Sequence, residues 1–595
     1  MTPEGWIVIT TLAVMFGALT IGRYPADLVM VAALVALVTI DHLFPGLTVF
    51  ATQSSAFASF ANEGLLTVAA LFVVAAGLRE TGALDRCCTL ILGRSSNVLV
   101  GQIRLVLPVA AASAFVNNTP LVAVMLPLVS AWARRCAIAP SRLMMPLSFA
   151  TILGGLCTTL GTSTNVVVYG LLLDATGERL GLFDIGKVGL PCAIGGLAYI
   201  LLLGRRMLPD RTDPVDVCTD PRQYSAELIV EPGSAVAGKS ISAAGLRGMP
   251  DVYLAEIVRD DEVFAAVEPE TRLQVGDRLV FVGVVSAVAE LRRIKGLRPA
   301  TQPVDASADS SHRRLFEAVV SDSCRLLGSK IRDGHFRSVY NAAVLAVARG
   351  GRRVEGRIGD IELRPGDTLL LEASSGFAET QRYSRDFFLV SSAGDLPSPR
   401  YDRSLVAIII LVSMIVFAAS GIITMLNAAL LAAGAMVASR CLGATLARRS
   451  IDWSVLIVIG AGLSLGKALE ESGAARTIVD AVLSITGTNP IVCVATIYGL
   501  TMIFTEVLSN NAAAALMFPI AMRTAEQIGS DHLAFVFAIM IAASCGFATP
   551  IGYQTNLMVY GPGGYRFSDF LRFGGALNLL IWVVAVSAIT VAFGL

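Results

Sequence analysis

Long apolar runs, separated by short polar segments, occupy both ends of the 595-residue chain. A helix needs roughly 20 apolar residues to cross the hydrocarbon core of a bilayer. Runs of that kind lie near 4–22, 25–44, 61–79, 145–172 and 187–204, and again near 404–420, 422–440, 452–469, 533–565 and 575–594. The pattern predicts a polytopic α-helical membrane protein.

Two further apolar stretches, 103–135 and 490–524, are interrupted midway by Asn-rich polar clusters. An unpaired polar group in lipid costs several kcal/mol, so neither stretch can be a single lipid-facing helix. We therefore expect two re-entrant hairpins, and broken helices where two of the spans carry similar clusters. The four predicted breaks are Ser113–Thr119, Gly161–Asn165, Thr505–Asn511 and Ala548–Asn556.

The two apolar blocks match each other in order along the chain. Gly82 aligns with Gly473 at an offset of 391, Asn118 with Asn510 at 392, and Asn165 with Asn556 at 391. Each block is predicted to contain an odd number of membrane elements, so the second block is inverted relative to the first. Inverted repeats with broken helices that meet at mid-membrane are typical of secondary transporters.

Arginine residues predict the orientation in the membrane. Arg104, Arg134 and Arg135 flank the first hairpin, so the positive-inside rule places both of its ends on the cytoplasmic side. The threading puts further arginines on that side: Arg23, Arg79, Arg86, Arg94, Arg205, Arg206, Arg448, Arg449, Arg566 and Arg572. We expect a multi-pass protein of the inner (plasma) membrane with both termini outside.

The middle of the chain has a different composition. Residues 210–403 hold 55 of the 92 Asp, Glu, Lys and Arg residues, and this block is expected to be cytoplasmic. Basic and acidic residues balance at 46 each, so no overall charge points to nucleic acid. The predicted organisation is a first transmembrane repeat (1–209), two soluble units (210–298 and 313–403) joined by a linker (299–312), and a second transmembrane repeat (404–595).

The four breaks are rich in Asn, Thr, Ser and Gly, and three of them contain no charged residue. Backbone N–H groups at a helix N-terminus favour an anion, whereas free carbonyl and side-chain oxygens suit a hard cation such as sodium. Glu506 is the exception. An intramembrane carboxylate is a functional hypothesis by default. It is either a proton site, a partner for a base such as Lys467, or a group that faces water.

Two tip motifs, Asn117-Asn118-Thr119 and Ser509-Asn510-Asn511, resemble the paired Ser-Asn-Thr motifs of the divalent anion:sodium symporter (DASS) family. Gly161-Thr162 and Ala548-Thr549-Pro550 resemble its two unwound loops, and DWSVLIVIGAGLSLGKALEESG (452–473) is also typical of it. The resemblance covers both membrane blocks. It implies an elevator-type transporter that works as a homodimer.

The resemblance also implies roles for individual residues. One sodium ion would be bound by Ser113, Asn117, Asn118 and Gly161, and a second by Thr505, Ser509, Asn510 and Ala548. The anion would lie between Asn118, Thr119, Thr162, Asn510, Asn511 and Thr549. Asn117 and Asn511 depart from the family pattern. The larger amide at Asn511 would shrink the pocket, which favours a compact tetrahedral dianion over a dicarboxylate.

The soluble block contains a second repeat, with a period of 90 residues. Gly238 matches Gly328, and LQVGDRLVFVG (273–283) matches LRPGDTLLLEA (363–373). Both units resemble the TrkA C-terminal (RCK-C) domain, which implies dimerisation and, in potassium systems, often the binding of a small-molecule regulator. Two such units between DASS halves are similar to the bacterial and algal branch associated with sulfate and other sulfur anions.

The leading hypothesis is a secondary transporter, not an enzyme, that moves a small divalent oxyanion such as sulfate. Sodium ions are the expected coupling ions, without an organic cofactor, and the expected partners are membrane lipid and a second copy of the chain. A dicarboxylate substrate or proton coupling is the alternative within the same fold. A potassium channel or gating subunit would need a TVGYG-like filter, and a membrane enzyme a His/Asp/Glu cluster in the membrane; the sequence contains neither.

Overall fold

The computed structural model describes most of the chain. The described residues are 2–21, 24–44, 49–50, 52–83, 97–136, 138–211, 225–246, 252–259, 262–265, 270–283, 296–299, 313–350, 352–354, 358–374, 386–392, 401–506 and 508–595, with Leu47, Gly93, Gly356, Phe377, Gln381 and Ser384. The chain forms two compact units. One comprises Met1–Thr212 and Pro397–Leu595, and the other is Asp213–Leu396.

The first compact unit is helical. In its N-terminal half the main helices are α1 (Pro3–Ile21), α2 (Ala26–Leu43), α3 (Glu63–Glu80), α4 (Val98–Ser113), α5 (Asn118–Cys136), α6 (Met144–Gly155), α7 (Ser163–Thr176) and α8 (Gly186–Met207). In its C-terminal half they are α9 (Ser404–Ser420), α10 (Met425–Ala438), α11 (Trp453–Glu471), α12 (Ala474–Thr486), α13 (Pro490–Thr505), α14 (Asn510–Ile528), α15 (His532–Ser544), α16 (Gln554–Tyr560) and α17 (Gly575–Phe593).

Among the described residues, five helices are long and apolar enough to cross a membrane. They are Ala26–Leu43 (α2), Ala56–Glu80 (which contains α3), Gly186–Met207 (α8), Trp453–Glu471 (α11) and Phe567–Phe593 (which contains α17). These helices confirm the prediction of a helical membrane protein with several apolar spans. The shorter apolar helices on either side of the breaks pack in matching pairs, α4 against α6 and α13 against α15.

Equivalent signals begin and end the matched helices α3 and α11. The side chain of Asn62 accepts hydrogen bonds from the first N–H groups of α3, and that of Asp452 does the same for α11. Just after these helices, Gly82 (φ 60°) and Gly473 (φ 73°) have left-handed backbone conformations, which glycine adopts without steric penalty. The glycine pair that revealed the sequence repeat therefore has the same structural role in both halves.

The second compact unit contains two five-stranded antiparallel sheets. The first sheet has β1 (Ser225–Val230), β2 (Val252–Arg259), β3 (Glu262–Ala265), β4 (Arg278–Gly283) and β5 (Leu297–Pro299), in the order β3-β2-β4-β1-β5. The second has β6 (Arg313–Val320), β7 (Ala342–Arg349), β8 (Arg352–Arg353), β9 (Thr368–Ser374) and β10 (Phe387–Ser392), in the order β10-β6-β9-β7-β8. Read from the opposite edge, the second order is the same as the first.

An arginine–aspartate pair recurs at the 90-residue period in the two sheets. Arg259 Nε lies 2.7 Å from Asp277 Oδ1, and Arg349 Nε lies 2.7 Å from Asp367 Oδ1. Both carboxylates are buried, and each also accepts a backbone N–H of its own Gly-Asp turn. The Gly-Asp motifs that defined the repeat thus tie the turn before β4 or β9 to the end of β2 or β7.

The structure differs from the sequence predictions in some boundaries. The second break starts after Gly155 rather than at Gly161, and the fourth after Ser544 rather than at Ala548. Helix α12 was not predicted, because Arg476, Asp480 and Ser484 interrupt its apolar residues and leave no spanning run. Pro299 ends β5, whereas the rest of the predicted linker 299–312 lies outside the described residues, as do Arg23, Arg86 and Arg94.

Candidate functional site

The tip of the first hairpin joins α4 to α5. The Ser113 hydroxyl lies 2.6 Å from Oδ1 of Asn118 and 2.8 Å from the carbonyl oxygen of Thr151. Ser113 and Asn118 are both fully buried. The side-chain oxygen of Asn118 is thereby fixed against the end of α4 and against α6.

The tip of the second hairpin, between α13 and α14, repeats this arrangement. The Thr505 hydroxyl lies 2.8 Å from Oδ1 of Asn510 and 2.7 Å from the carbonyl oxygen of Ala543. The sequence separations are identical to those of the first tip, 5 and 38 residues. Two predicted site residues from each hairpin are therefore brought together in the same geometry.

The two broken helices are bridged by equivalent asparagines. Asn165 Nδ2 donates to the carbonyl oxygens of Gly155 (3.3 Å) and Thr158 (3.0 Å). Asn556 Nδ2 donates to those of Gly546 (2.7 Å) and Thr549 (3.1 Å). These amides satisfy carbonyls that the interrupted helices α6 and α15 leave free.

The breaks in the two broken helices also pack closely against a glycine of a neighbouring segment. A Cβ atom on Gly189 of α8 would be 1.9 Å from the carbonyl oxygen of Leu156, and one on Gly574 would be 1.8 Å from that of Phe547. Only glycine permits so close an approach of two backbones. The unwound segments are consequently held from outside as well as by their own asparagines.

Each hairpin tip contacts the helix that follows the break of the other half. Thr119 Oγ1 lies 3.2 Å from Oε1 of Gln554 at the start of α16. Asn511 Oδ1 accepts from the hydroxyls of Ser163 (3.4 Å) and Thr164 (3.1 Å) at the start of α7. Thr119 and Asn511 are equivalent residues of the two tips. Residues from all four breaks meet where the tips exchange partners in this way. We call this region the crossing; it is formed by Thr119, Gln554, Asn511, Ser163 and Thr164.

Asn510 contacts Thr505 at the second tip, and the other five predicted anion-binding residues make three kinds of contact. Asn118, Thr119 and Asn511 make contacts across the crossing. Thr162 is fully buried, with its hydroxyl 3.4 Å from Oγ of Ser544. Thr549 instead donates its hydroxyl to Glu506 Oε2, at 2.8 Å.

Glu506 accepts hydrogen bonds at both carboxylate oxygens. Oε1 lies 2.9 Å from the backbone N of Ala548 and 2.8 Å from Nδ2 of Asn578. Oε2 lies 3.0 Å from the backbone N of Thr549, in addition to its hydroxyl. Three of the four contacts are N–H donors and the fourth is a hydroxyl, so none of them requires a proton on Glu506.

The predicted alternatives for Glu506 can be compared with these contacts. Lys467 is exposed on α11, and among the described residues no hydrogen bond or ion pair joins it to Glu506. The equivalent position in the first half is Ala114, whose carbonyl oxygen accepts the hydroxyl of Thr158. The second half thus uses a carboxylate where the first half uses a main-chain carbonyl.

The carbonyl groups of the breaks identify a residue that sequence reasoning missed. A Cβ on Gly155 would lie 2.9 Å from Asn118 Oδ1 and 3.2 Å from the Gly161 carbonyl oxygen. A Cβ on the equivalent Gly546 would lie 2.7 Å from the carbonyl oxygen of Gly552. Gly552 therefore occupies in the fourth break the place that Gly161 occupies in the second. The offset of 391 that pairs Asn165 with Asn556 would have found it.

Other polar residues of the site were also absent from the predictions. Ser148 on α6 lies 2.8 Å from Oγ1 of Thr555 and 2.7 Å from Oδ1 of Asn556. Tyr553, near the end of the fourth break, lies with its hydroxyl 2.6 Å from Nδ2 of Asn118. An isolated serine inside a helix and a tyrosine in an apolar run give no signal that separates them from packing residues.

Comparison with known proteins places the chain among transporters. Residues 11–540 match the family model of the citrate transporter family, CitMHS. A candidate sulfur deprivation response regulator of Chlamydomonas reinhardtii is 40% identical, over 89% of this chain and 93% of the relative. An uncharacterized transporter of Synechocystis is 34% identical, over 91% of each chain.

Sodium/sulfate cotransporter 1 of Chlamydomonas reinhardtii is 26% identical, over 98% of this chain and 89% of the relative. The predicted kinship with divalent anion:sodium symporters is confirmed at the level of a related family of anion transporters. The family match covers the first membrane half and the second half as far as residue 540. The chain belongs to the citrate transporter (CitMHS) family.

Proposed function

We propose that the protein is a secondary active transporter that moves a divalent oxyanion, with sulfate as the first choice, together with sodium ions. The observation that carries this proposal is the crossing. There, two hairpin tips and two broken helices bring uncharged polar groups together inside a membrane protein. Such groups can replace the hydration shell of an ion with fixed dipoles, without a permanent positive charge.

The proposed anion site uses Asn118, Thr119, Thr162, Asn510, Asn511 and Thr549. Helices α5, α7 and α14 start at these positions, so their free N–H groups favour negative charge. Thr119 and Asn510 are partly exposed, which gives an anion access to the tips. The hydroxyl of Thr549 is engaged by Glu506, so we expect its contribution to come through the shape of the break.

The proposed first sodium site is formed by Ser113, Asn117, Asn118 and Gly161. Two observations support it, since sodium requires several oxygen ligands at short range. Ser113 Oγ contacts Asn118 Oδ1, and a Cβ on Gly155 would lie close to both Asn118 Oδ1 and the Gly161 carbonyl oxygen. Oδ1 of Asn165 is buried beside this break and has no hydrogen-bond partner among the described residues. A buried unpaired oxygen is costly unless a ligand satisfies it, which also favours a cation here.

The proposed second sodium site is formed by Thr505, Ser509, Asn510 and Ala548, and we add the carbonyl oxygen of Gly552. The match between the two tips supports two sites of similar design. Glu506 supplies a negative charge beside the second site only. Because three of its four contacts are N–H donors, the arrangement favours an ionised carboxylate and sodium coupling over a proton carried by Glu506.

The larger design of the transporter is proposed on the family resemblance. It comprises an elevator mechanism, a homodimer, and an inner-membrane location with the 210–403 block in the cytoplasm. The matching strand orders of the two sheets in that block support a pair of RCK-C-like domains. A small molecule that binds there would act as a regulator.

Radiolabelled sulfate uptake into proteoliposomes tests the proposal. We expect faster uptake with an inward sodium gradient than with a proton gradient alone, and inhibition by excess unlabelled sulfate. Asn118→Ala and Asn510→Ala should abolish uptake, because each asparagine serves both an ion and the anion. Asn427→Ala, at an exposed position of α10, is the matched control.

The outcome separates the two candidate substrates. Uptake of succinate or citrate, with none of sulfate, would replace the substrate and keep the transporter. The family description as citrate transporters favours this second candidate. Normal sulfate uptake by both tip variants would contradict the proposed site.

A further inference from the structure

One position breaks the match between the two halves at the crossing. Thr162 and Tyr553 both directly precede the helix that follows a break, α7 and α16, and both have an extended backbone. The hydroxyl of Thr162 accepts the N–H of Asn165 at 3.2 Å and so caps its own helix. Tyr553 makes no such cap. Its side chain is therefore available for a different contact.

That contact is made with the hairpin tips. The Tyr553 hydroxyl lies 2.6 Å from Nδ2 of Asn118, a residue 435 positions away in the other half. The side chain of Asn510, at the other tip, lies near the same phenol and accepts the Thr505 hydroxyl at 2.8 Å. Tyr553 is 8% exposed, so its ring is enclosed. One phenol group thus contacts one of the two asparagines proposed to bind the anion and lies beside the other.

The ring also limits the room at the crossing. A threonine, as found at the equivalent position 162, would leave empty the volume that the phenol fills. The negative charge of sulfate is confined to one tetrahedral group, whereas the two charges of a dicarboxylate are separated by a carbon chain. A pocket bounded by a buried aromatic ring and two fixed amides accepts the compact anion and excludes the longer one.

We infer that Tyr553 is a specificity-determining residue, which binds at the anion site through its hydroxyl and restricts the substrate to a compact tetrahedral dianion. This inference rests on the proposed anion transport. It assigns selectivity to a side chain that exists in only one of the two halves.

The test measures sulfate uptake into proteoliposomes by wild type, Tyr553→Phe and Tyr553→Thr, and the inhibition of that uptake by succinate. Tyr553→Phe retains the ring but loses the hydroxyl, so the KM for sulfate should rise about fivefold with the discrimination against succinate retained. Tyr553→Thr copies position 162. Succinate should inhibit this variant at least about tenfold more strongly than wild type. Tyr199→Phe, an equally buried tyrosine whose hydroxyl donates to the Phe573 carbonyl, is the control.

Thermal unfolding in detergent with and without sulfate provides a second readout that does not require transport. Sulfate should stabilise wild type and Tyr199→Phe more than Tyr553→Phe. If both Tyr553 variants are folded and show wild-type sulfate KM and succinate inhibition, the inference is wrong and the proposed function stands. If wild type neither transports nor binds sulfate, the proposed substrate and this inference both fail.

Discussion

Single side chains at the crossing determine how the two halves differ in charge. Asn118 and Asn510 have matching contacts, whereas Glu506 occupies the position that is Ala114 in the first half. The carboxylate holds the backbone of Ala548 and Thr549 and the side chain of Asn578. The second half therefore contains a carboxylate, that of Glu506, at a position where the first half has no charged side chain.

Glu506→Gln tests whether that carboxylate stays ionised during transport. A glutamine amide has one acceptor oxygen, and its NH₂ group would face two donors, so buried donors lose their partner at about 1–3 kcal/mol each. We expect uptake to fall at least about tenfold across the neutral pH range. The measurement is sulfate uptake as a function of pH, with exposed Glu526→Gln as the control.

A proton-carrying Glu506 predicts a different result for this variant. In that case Glu506→Gln would retain activity and lose only its pH dependence. Active protein with a flattened pH profile would therefore contradict the fixed-carboxylate assignment.

The individual residues of the site were predictable to different degrees. Asn118 and Asn510 were identified because a polar cluster inside an apolar run is costly in lipid unless the protein encloses it. Tyr553 was missed because an aromatic residue in an apolar run resembles packing. The choice of Thr549 over Gly552 and Tyr553 followed from the resemblance of Ala548-Thr549-Pro550 to an unwound loop of the divalent anion:sodium symporters. Which of them faces the tip is fixed by the path of the unwound backbone.

At the scale of elements, close backbone contacts with neighbouring segments hold the two unwound segments in place. Gly189 and Gly574 lie against the carbonyl oxygens of Leu156 and Phe547, the equivalent residues of the two breaks. Helix α8 also packs against α17. The two broken helices therefore share one supporting layer.

Gly189→Ala and Gly574→Ala should both lower the free energy of unfolding by about 1–3 kcal/mol, because the added methyl overlaps a backbone oxygen that cannot rotate away. The measurement is thermal unfolding in detergent. Gly434→Ala, in α10 with no atom within 4 Å of the added Cβ, should leave the melting temperature unchanged or raise it. Equal melting of all three variants would show that the close approach does not require glycine.

The helices were largely predictable and the ends of the breaks were not. Spans and hairpins follow from apolar runs of sufficient length. Both broken helices, however, unwind several residues before their polar residues begin, at Gly155 and Ser544. Leu156, Cys157 and Phe547 are apolar, so composition does not report that the hydrogen-bond ladder has already stopped. The glycines that make room for these segments lie far away in sequence.

At the scale of the whole molecule, the chain divides into a helical unit and a unit of two sheets. The second unit, Asp213–Leu396, has its own buried cores. Its period of 90 residues was visible in the sequence because a Gly-Asp turn has a strict backbone requirement. Its proposed regulatory role is a separate question from its fold.

Removal of residues 213–396 tests that role. Because all residues of the proposed ion and anion sites lie in the helical unit, we expect the shortened protein to retain sodium-dependent sulfate uptake. Its rate is to be compared with wild type at equal amounts of folded protein, determined by size-exclusion chromatography. Loss of folded protein would instead show that the second unit is required for assembly.

The exchange of partners at the crossing also has a consequence for biosynthesis. Thr119 cannot make its contact until Gln554, 435 residues later in the chain, has been synthesised. At about 5–20 residues per second, translation of that interval takes roughly 20 to 90 s. Throughout that time the polar tip of the first hairpin lies in or near the bilayer without its final contacts. The nascent first half therefore needs temporary protection, from lipid headgroups, water or the insertion machinery, until the last helices are made.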